Sequence, residues 1–269
     1  MRKDRIDLLA QKGMYFTVDD IKETLGLSHN SVNTVISRLE KAGYIERVEK
    51  GKYIIIPIGN KKGSYTLHEF SMASMLISPC IIAYWSALNA HGLTEQIPIT
   101  VFIQSSSRKR VTEKEIFGIK YKIVTLKKEK IFGIEKKWIE DKQVSMTDRE
   151  KTVIDCLAMP QYSGGIIEVA KAIKKGGLEP TKLASYCAQY GSHAVTARLG
   201  YLCELYGKDI TLDFKRGRSY SKLDPTMPSD ERKCSSSIIA SILLKVPLSI
   251  AGLPPFGHCL IPLGLLVCH

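Results

Sequence analysis

Along residues 17–56 the spacing of apolar positions changes twice, and each change marks a new element. Ile21 and Leu25 lie one helical turn apart, behind Thr17, which can cap the helix, and with Asp19 and Asp20 in its first turn, where the helix dipole favours negative charge. Gly26 is a C-terminal stop and Leu27 is the apolar residue that such turns bury. After Ser28, a second cap, Val32, Val35, Ile36 and Leu39 recur at i, i+3, i+4 and i+7, the core stripe of another helix, which Gly43 ends. The period then falls to two. Tyr44 to Val48 reads as a strand, Lys50-Gly51-Lys52 as a turn, and Tyr53 to Ile56 as the returning strand. Upstream, Arg2 to Lys12 predicts a first helix with Ile6, Leu8 and Leu9 as its apolar contacts.

Helices, a tight turn, a helix and a hairpin in this order predict a winged helix-turn-helix over residues 1–62. The face of its third helix opposite the apolar stripe holds His29, Asn30, Ser31, Asn33, Thr34, Ser37 and Arg38. These groups suit base edges and phosphates: Asn pairs with adenine, Arg with guanine, and Ser or Thr with several edges. A face built only for solubility would carry more Glu and Lys. With Ser28 at the helix start, this set is the expected base-reading surface, and Lys50 and Lys52 at the hairpin tip are expected to contact the DNA backbone. The plainer alternative is a winged helix used only for protein contacts.

Downstream the pattern predicts an α+β domain over residues 63–228, after a linker at Gly59-Asn60-Lys61-Lys62-Gly63. Leu67 to Leu76 and Ile81 to His91 read as helices. Ile99 to Ile103 and Ile119 to Leu126 read as strands, with Val144 to Met146 as a short third. Thr147 and Glu150 have capping-box spacing ahead of Val153, Ile154 and Leu157. Further helices are expected over Ile166 to Lys174, Leu183 to Tyr190 and Ala194 to Tyr206, with Gly164-Gly165 and Gly176-Gly177 as punctuation, and Ile210 to Phe214 is strand-like.

Charge sharpens this picture. The net charge of +12 suits a polyanionic partner. Residues 1–62 hold 12 basic and 8 acidic side chains, a balance of +4, and residues 105–142 hold 12 and 6, a balance of +6. A second basic surface is therefore weighed equally against a merely solvated face, and Arg108, Lys109 and Arg110 in a polar turn are expected to extend the DNA footprint. Seven cysteines without any CxxC pair make zinc and a disulfide framework poor readings, and Cys80, Cys156, Cys187 and Cys203 are expected as free thiols in apolar settings. The charged, amphipathic start is not a signal peptide, so a cytoplasmic location is expected. Residues 229–269 differ in kind: no Asp or Glu follows Glu231, three of the cysteines fall here, and Lys245, Pro247, Pro254 and Pro255 break the apolar run. No stretch of about 20 clean apolar residues spans a bilayer, and no membrane partner is expected. A shifted reading frame is the expected origin of the tail; a membrane hairpin or partner-binding tail is the rival.

Several segments together resemble the AbiEi-type antitoxins of type IV toxin–antitoxin systems. They are Pro79-Cys80-Ile81-Ile82-Ala83-Tyr84-Trp85-Ser86-Ala87-Leu88-Asn89-Ala90-His91-Gly92-Leu93, Ile97 to Val101, Val144 to Leu157 with its Asp148-Arg149-Glu150-Lys151-Thr152 core, Tyr162 to Gly165, Arg198 to Leu202, and Lys222 to Pro225. The resemblance covers residues 1–228, and the apolar tail departs from the polar strand with which the family usually closes. It implies a transcriptional autorepressor that binds double-stranded DNA at inverted repeats in its own promoter. It also implies a second domain that opposes a cognate nucleotidyltransferase-like toxin without forming a stable complex.

No catalytic signature, metal-ligand cluster or cofactor motif competes with this reading. Asp148, Glu150 and Lys151 echo a metal-dependent nuclease, but the predicted capping box puts them at a helix start, and the strand Ile99 to Ile103 carries no carboxylate. His91 and His193 read as helix-end residues, and Lys215-Arg216-Gly217-Arg218 as either a phosphate contact or a solvated turn. The chain is accordingly expected not to be an enzyme, and no cofactor is expected. The rival class is a nucleic-acid- or nucleotide-acting enzyme that uses the winged helix for docking.

Overall fold

The computed structural model describes residues 2–11, 13–56, 68–139, 142–212 and 222–225, and the fold is α+β. The N-terminal module runs α1 (Arg2–Ala10), β1 (Tyr15–Thr17), α2 (Val18–Leu25), α3 (His29–Lys41), β2 (Ile45–Glu49) and β3 (Lys52–Ile55). Thr17 caps α2 through a capping box: its hydroxyl accepts from the Asp20 amide, and the Asp20 carboxylate accepts from the Thr17 amide at 2.6 Å. Gly26 follows in the left-handed conformation, φ 59°, which lets the chain reverse within three residues, Gly26 to Ser28, into α3. Strand β1 was not legible as an element. It pairs antiparallel with β3, which lies between β1 and β2. Ile6, Leu9, Phe16, Ile21, Val32, Val35, Ile36, Leu39, Ile45, Tyr53 and Ile55 close one core beneath the helices.

The second module starts with α4 (Glu69–Leu76) and β4 (Ile81–Ile82), followed by α5 (Tyr84–Ala90) and β5 (Thr100–Ser105). Next come β6 (Glu113–Ile116), β7 (Ile119–Thr125), β8 (Ile134–Ile139) and β9 (Lys142–Thr147). Four helices complete it: α6 (Arg149–Ala158), α7 (Ile166–Lys175), α8 (Pro180–Tyr190) and α9 (His193–Leu205). The six strands form one mixed sheet in the order β6-β7-β5-β4-β9-β8. Helices α5 to α9 pack on one face through Phe102, Val124, Val153, Leu157, Val169, Leu183 and Leu199. Helix α4 and the N-terminal module pack on the other, where Val48 and Ile54 join Met72, Met75, Leu76, Val101, Ile103, Tyr121 and Ile123 in a shared cluster. The expected domain junction at residues 62/63, the linker, the Lys215 to Arg218 cluster, the junction at 228/229 and the tail all lie outside the described residues.

Three expectations change. Ile81 and Ile82 form a strand rather than the start of a helix, pairing with β5 and β9, because Ile82 is needed in the sheet core. Thr147 ends β9, and Asp148 caps α6 by accepting from the Lys151 amide at 2.8 Å, so the cap lies one residue later. Ile210 to Leu212 is not a strand; Ile210 and Leu212 pack on the helical core. Cys156, Cys187 and Cys203 are buried free thiols, and burial pushes the half-buried Cys80 thiol up to about 12.

His91 ends α5, as its position suggests. Its Nε2 lies 2.7 Å from the Thr147 carbonyl oxygen and its Nδ1 lies 3.0 Å from the Lys137 ammonium. An ammonium can only donate, so Nδ1 accepts, Nε2–H donates, and the ring is held neutral. Burial lowers its pKa; the Thr147 carbonyl and Glu135 oppose the shift, and Lys137 and Arg149 add to it. A depressed value means that the unfolded chain takes up a proton first. The ring's contribution is therefore complete above about pH 6.5 and is lost as the pH falls through its folded value. Urea midpoints should drop between pH 7.5 and 5, and a His91→Gln chain should lose part of that dependence; identical profiles for the two chains would remove His91 from the account.

Candidate nucleic-acid interface

Helix α3 presents Ser28, Ser31, Asn33, Thr34, Ser37 and Arg38 on its exposed side, while Val32, Val35, Ile36 and Leu39 are buried beneath them. His29 and Asn30 lie in its first turn; their side chains are outside the described part. The face keeps the predicted grouping: Asn33 and Ser37 are one turn apart, as are Thr34 and Arg38. From Ser28 to Leu39 there is no acidic residue, and Arg38 and Lys41 occupy the last turn. Ser28 holds the N-cap position without a side-chain bond to the backbone; its hydroxyl lies 3.0 Å from that of Ser31. These polar groups are therefore carried on a rigid helix and remain on the solvent side, as base or phosphate readers must be.

The hairpin departs from expectation in one respect. A register shift between Arg47 and Glu49 sets Glu49 directly opposite Lys52, so the tip is Lys50-Gly51 and Lys52 is the first residue of β3. Gly51 needs its positive φ of 78°, and its carbonyl accepts from the Val18 amide at 3.1 Å, which ties the tip to α2. Lys50 is exposed. Lys52 is not presented outward. Its ammonium lies 3.3 Å from Glu49 and donates to the Met75 carbonyl at 2.5 Å.

Lys109 is diverted in the same way. It pairs with Glu49 at 2.8 Å and donates to the Leu76 carbonyl at 2.6 Å, while Lys114 from β6 reaches Glu49 at 3.3 Å. Met75 and Leu76 end α4, where carbonyls without intrahelical partners attract cations. Burial would raise the Glu49 carboxyl, but Lys109 and Lys114 outweigh it and hold it below its ordinary value. The expectation that Lys52 and Lys109 face DNA is thus revised, because both are spent at the junction of the modules. Arg108 and Arg110 are exposed and, like Lys50, make no ion pair among the described residues. Among other mid-chain cations, Lys122 is paired with Glu113 and Lys137 with Glu135.

The Glu49 node was missed because nothing in a sequence pairs residues 49, 52, 109 and 114. One signal was available: Tyr53-Ile54-Ile55-Ile56 does not alternate, as a strand with a solvated face would. Glu49→Gln removes three pairings at once. Their partial exposure limits the expected loss to about 1–2 kcal/mol, read as a lower urea midpoint. An unchanged midpoint would leave the junction to its apolar cluster alone.

The nuclease-like triplet is occupied by packing. The Asp148 carboxylate accepts from Tyr186 at 2.9 Å and pairs with Lys182 at 3.1 Å, Glu150 pairs with Lys182 at 2.9 Å, and Lys151 is fully buried against Asp155. Among the described residues no His, Cys, Asp and Glu grouping could hold a metal ion, and no helix is long and apolar enough to cross a membrane.

Comparison with known proteins bears on both modules. The crystal structure of the RV2827C protein from Mycobacterium tuberculosis has a similar fold, with a TM-score of 0.55 and 15% sequence identity over 77% of this chain and 78% of that one. No curated protein matches the sequence. Residues 4–56, which hold α2, α3 and the hairpin, match the family described as "Transcriptional regulator, AbiEi antitoxin".

Proposed function

We propose that the N-terminal module is a winged helix-turn-helix that reads duplex DNA upstream of its own gene and represses that gene. The observation that carries this reading is the exposed face of α3, without an acid from Ser28 to Leu39, mounted behind a three-residue turn and beside a hairpin tipped by Lys50. Asn33 and Arg38 would address base edges in the major groove, Ser28, Ser31, Thr34 and Ser37 bases or phosphates, and Lys50 the backbone. His29 and Asn30, at the helix start, belong to the same surface. The match to a family of regulators over these residues supports the assignment.

The reading extends to the cell as a cytoplasmic type IV antitoxin. Its second module opposes a nucleotidyltransferase-like toxin without a stable complex. The test of repression is a salt titration of the full chain against the duplex upstream of its gene and a scrambled duplex of equal length. Tighter binding to the upstream duplex, falling steeply with salt, is the expected result; equal binding to both would overturn the operator assignment. For the antitoxin role, co-expression with a cognate nucleotidyltransferase-like toxin should restore growth while affinity-tagged chain recovers no toxin. Growth arrest unchanged by co-expression would overturn it.

A further inference from the structure

Glu49 and Lys109 place two exposed cationic segments side by side. Glu49 precedes the wing-tip residue Lys50, and Lys109 lies between Arg108 and Arg110; the two touch at 2.8 Å. The pinned residues face the junction, and their neighbours Lys50, Arg108 and Arg110 remain exposed. This adjacency is held by direct contacts between the described elements. Lys52 of the wing and Lys109 of the β5–β6 loop both cap the end of α4, and Val48 and Ile54 of the hairpin lie in the same apolar cluster as Met75, Leu76 and Val101. The start of the loop is anchored too: the Ser107 hydroxyl donates to the Ser78 carbonyl at 2.7 Å, and that of Ser105 to the Pro79 carbonyl at 2.6 Å.

We propose that Arg108 and Arg110 of the second module form a phosphate grip contiguous with the wing, so that the DNA-binding surface continues past the helix-turn-helix onto the β5–β6 loop. The proposal rests on the reading that α3 and the wing bind DNA. Charge supports it: the junction brings three lysines to one carboxylate, and the neighbouring exposed residues add three further cations without an acid among them. Guanidinium forks suit phosphate because they donate two parallel bonds to it. Lys109, between them, acts as a positioning residue through Glu49, not as a DNA contact.

The test is a salt titration of three full-length chains on the upstream and scrambled duplexes: the parent, Arg108→Gln/Arg110→Gln, and Asn33→Ala. The double arginine variant should flatten the log–log salt slope by about 2 on both duplexes and weaken binding by roughly 30-fold near 0.15 M salt. Hydroxyl-radical protection should shorten on the wing side only. Both arginines are exposed, so the fold should survive. An unchanged slope and footprint would overturn the grip, whatever the parent's sequence preference. If the parent shows no preference for its upstream duplex, the operator reading fails, yet the slope on the scrambled duplex still decides the grip. A parent that binds neither duplex at low salt overturns both.

Discussion

Asp155→Ala is expected to be the most damaging single substitution in the second module, costing about 3–5 kcal/mol. Lys151 and Asp155 are both fully buried on successive turns of α6, and the ammonium donates to the Asp155 carboxylate. Around the ammonium are the faces of Phe132, 4.6 Å from its centroid, and Tyr190, 5.2 Å away. Deleting the carboxylate leaves a buried cation beside two ring faces, whose quadrupoles offset a small part of its lost hydration. Domains of this size are stable by roughly 5–15 kcal/mol, so the loss is a large share of the total. The neutral pair Lys151→Met/Asp155→Leu should recover most of it, since a packed apolar pair has no desolvation cost. Chemical unfolding of the parent and the two variants gives the answer. An Asp155→Ala chain within about 1 kcal/mol of the parent would mean that the pair is not a buried ion pair.

The second large effect concerns α3. Asn33→Ala should weaken binding to the upstream duplex by about 1–3 kcal/mol, roughly 10- to 100-fold, while leaving the scrambled duplex almost unaffected. The exposed position and the good helix propensity of alanine make a folding defect a poor explanation for such a result. Lys50→Ala should weaken both duplexes alike and flatten the salt slope by about one. Lys52→Ala should act on stability instead, because its ammonium is bonded to Glu49 and Met75. Equal losses on both duplexes for Asn33→Ala would remove α3 from the reading role.

A further stability test lies at Gly133, where φ is 62° and an added Cβ would come within 2.8 Å of the Lys151 Cβ and 3.0 Å of the Tyr186 ring. Gly133→Ala therefore combines an unfavourable backbone conformation with a clash against α6. About 2–4 kcal/mol is the expected cost. A midpoint equal to the parent's would show that α6 and α8 can give way there.

Local patterns were legible wherever one side chain type answers one local need. Thr17 with Asp20, Gly26 after Leu25, and the i, i+3, i+4, i+7 stripe of α3 each bury or bond within a few residues, and each stands as expected. Strands β6 and β8 were not legible. Glu113-Lys114-Glu115 and Glu135-Lys136-Lys137 are almost wholly charged, and both strands lie at sheet edges, where one face or both meet solvent and the backbone pairing comes from a neighbour. Ile81 and Ile82 were misread as helical for a related reason: a two-residue strand has no period to detect.

The candidate interface divides along the same line. The sequence alone determined α3 and its polar face, because helix periodicity assigns each residue to core or solvent without reference to the rest of the chain. It also determined that cations cluster at the hairpin and in the 105–110 loop. Only the tertiary structure decided which of those cations remain exposed. The hairpin bulge aims Glu49 inward, α4 offers its terminal carbonyls, and Lys52, Lys109 and Lys114 are drawn to them from three separate elements. Partner choice over such separations depends on three-dimensional proximity, which periodicity does not encode, so Lys50, Arg108 and Arg110 could be told apart from their neighbours only once the fold had brought them together.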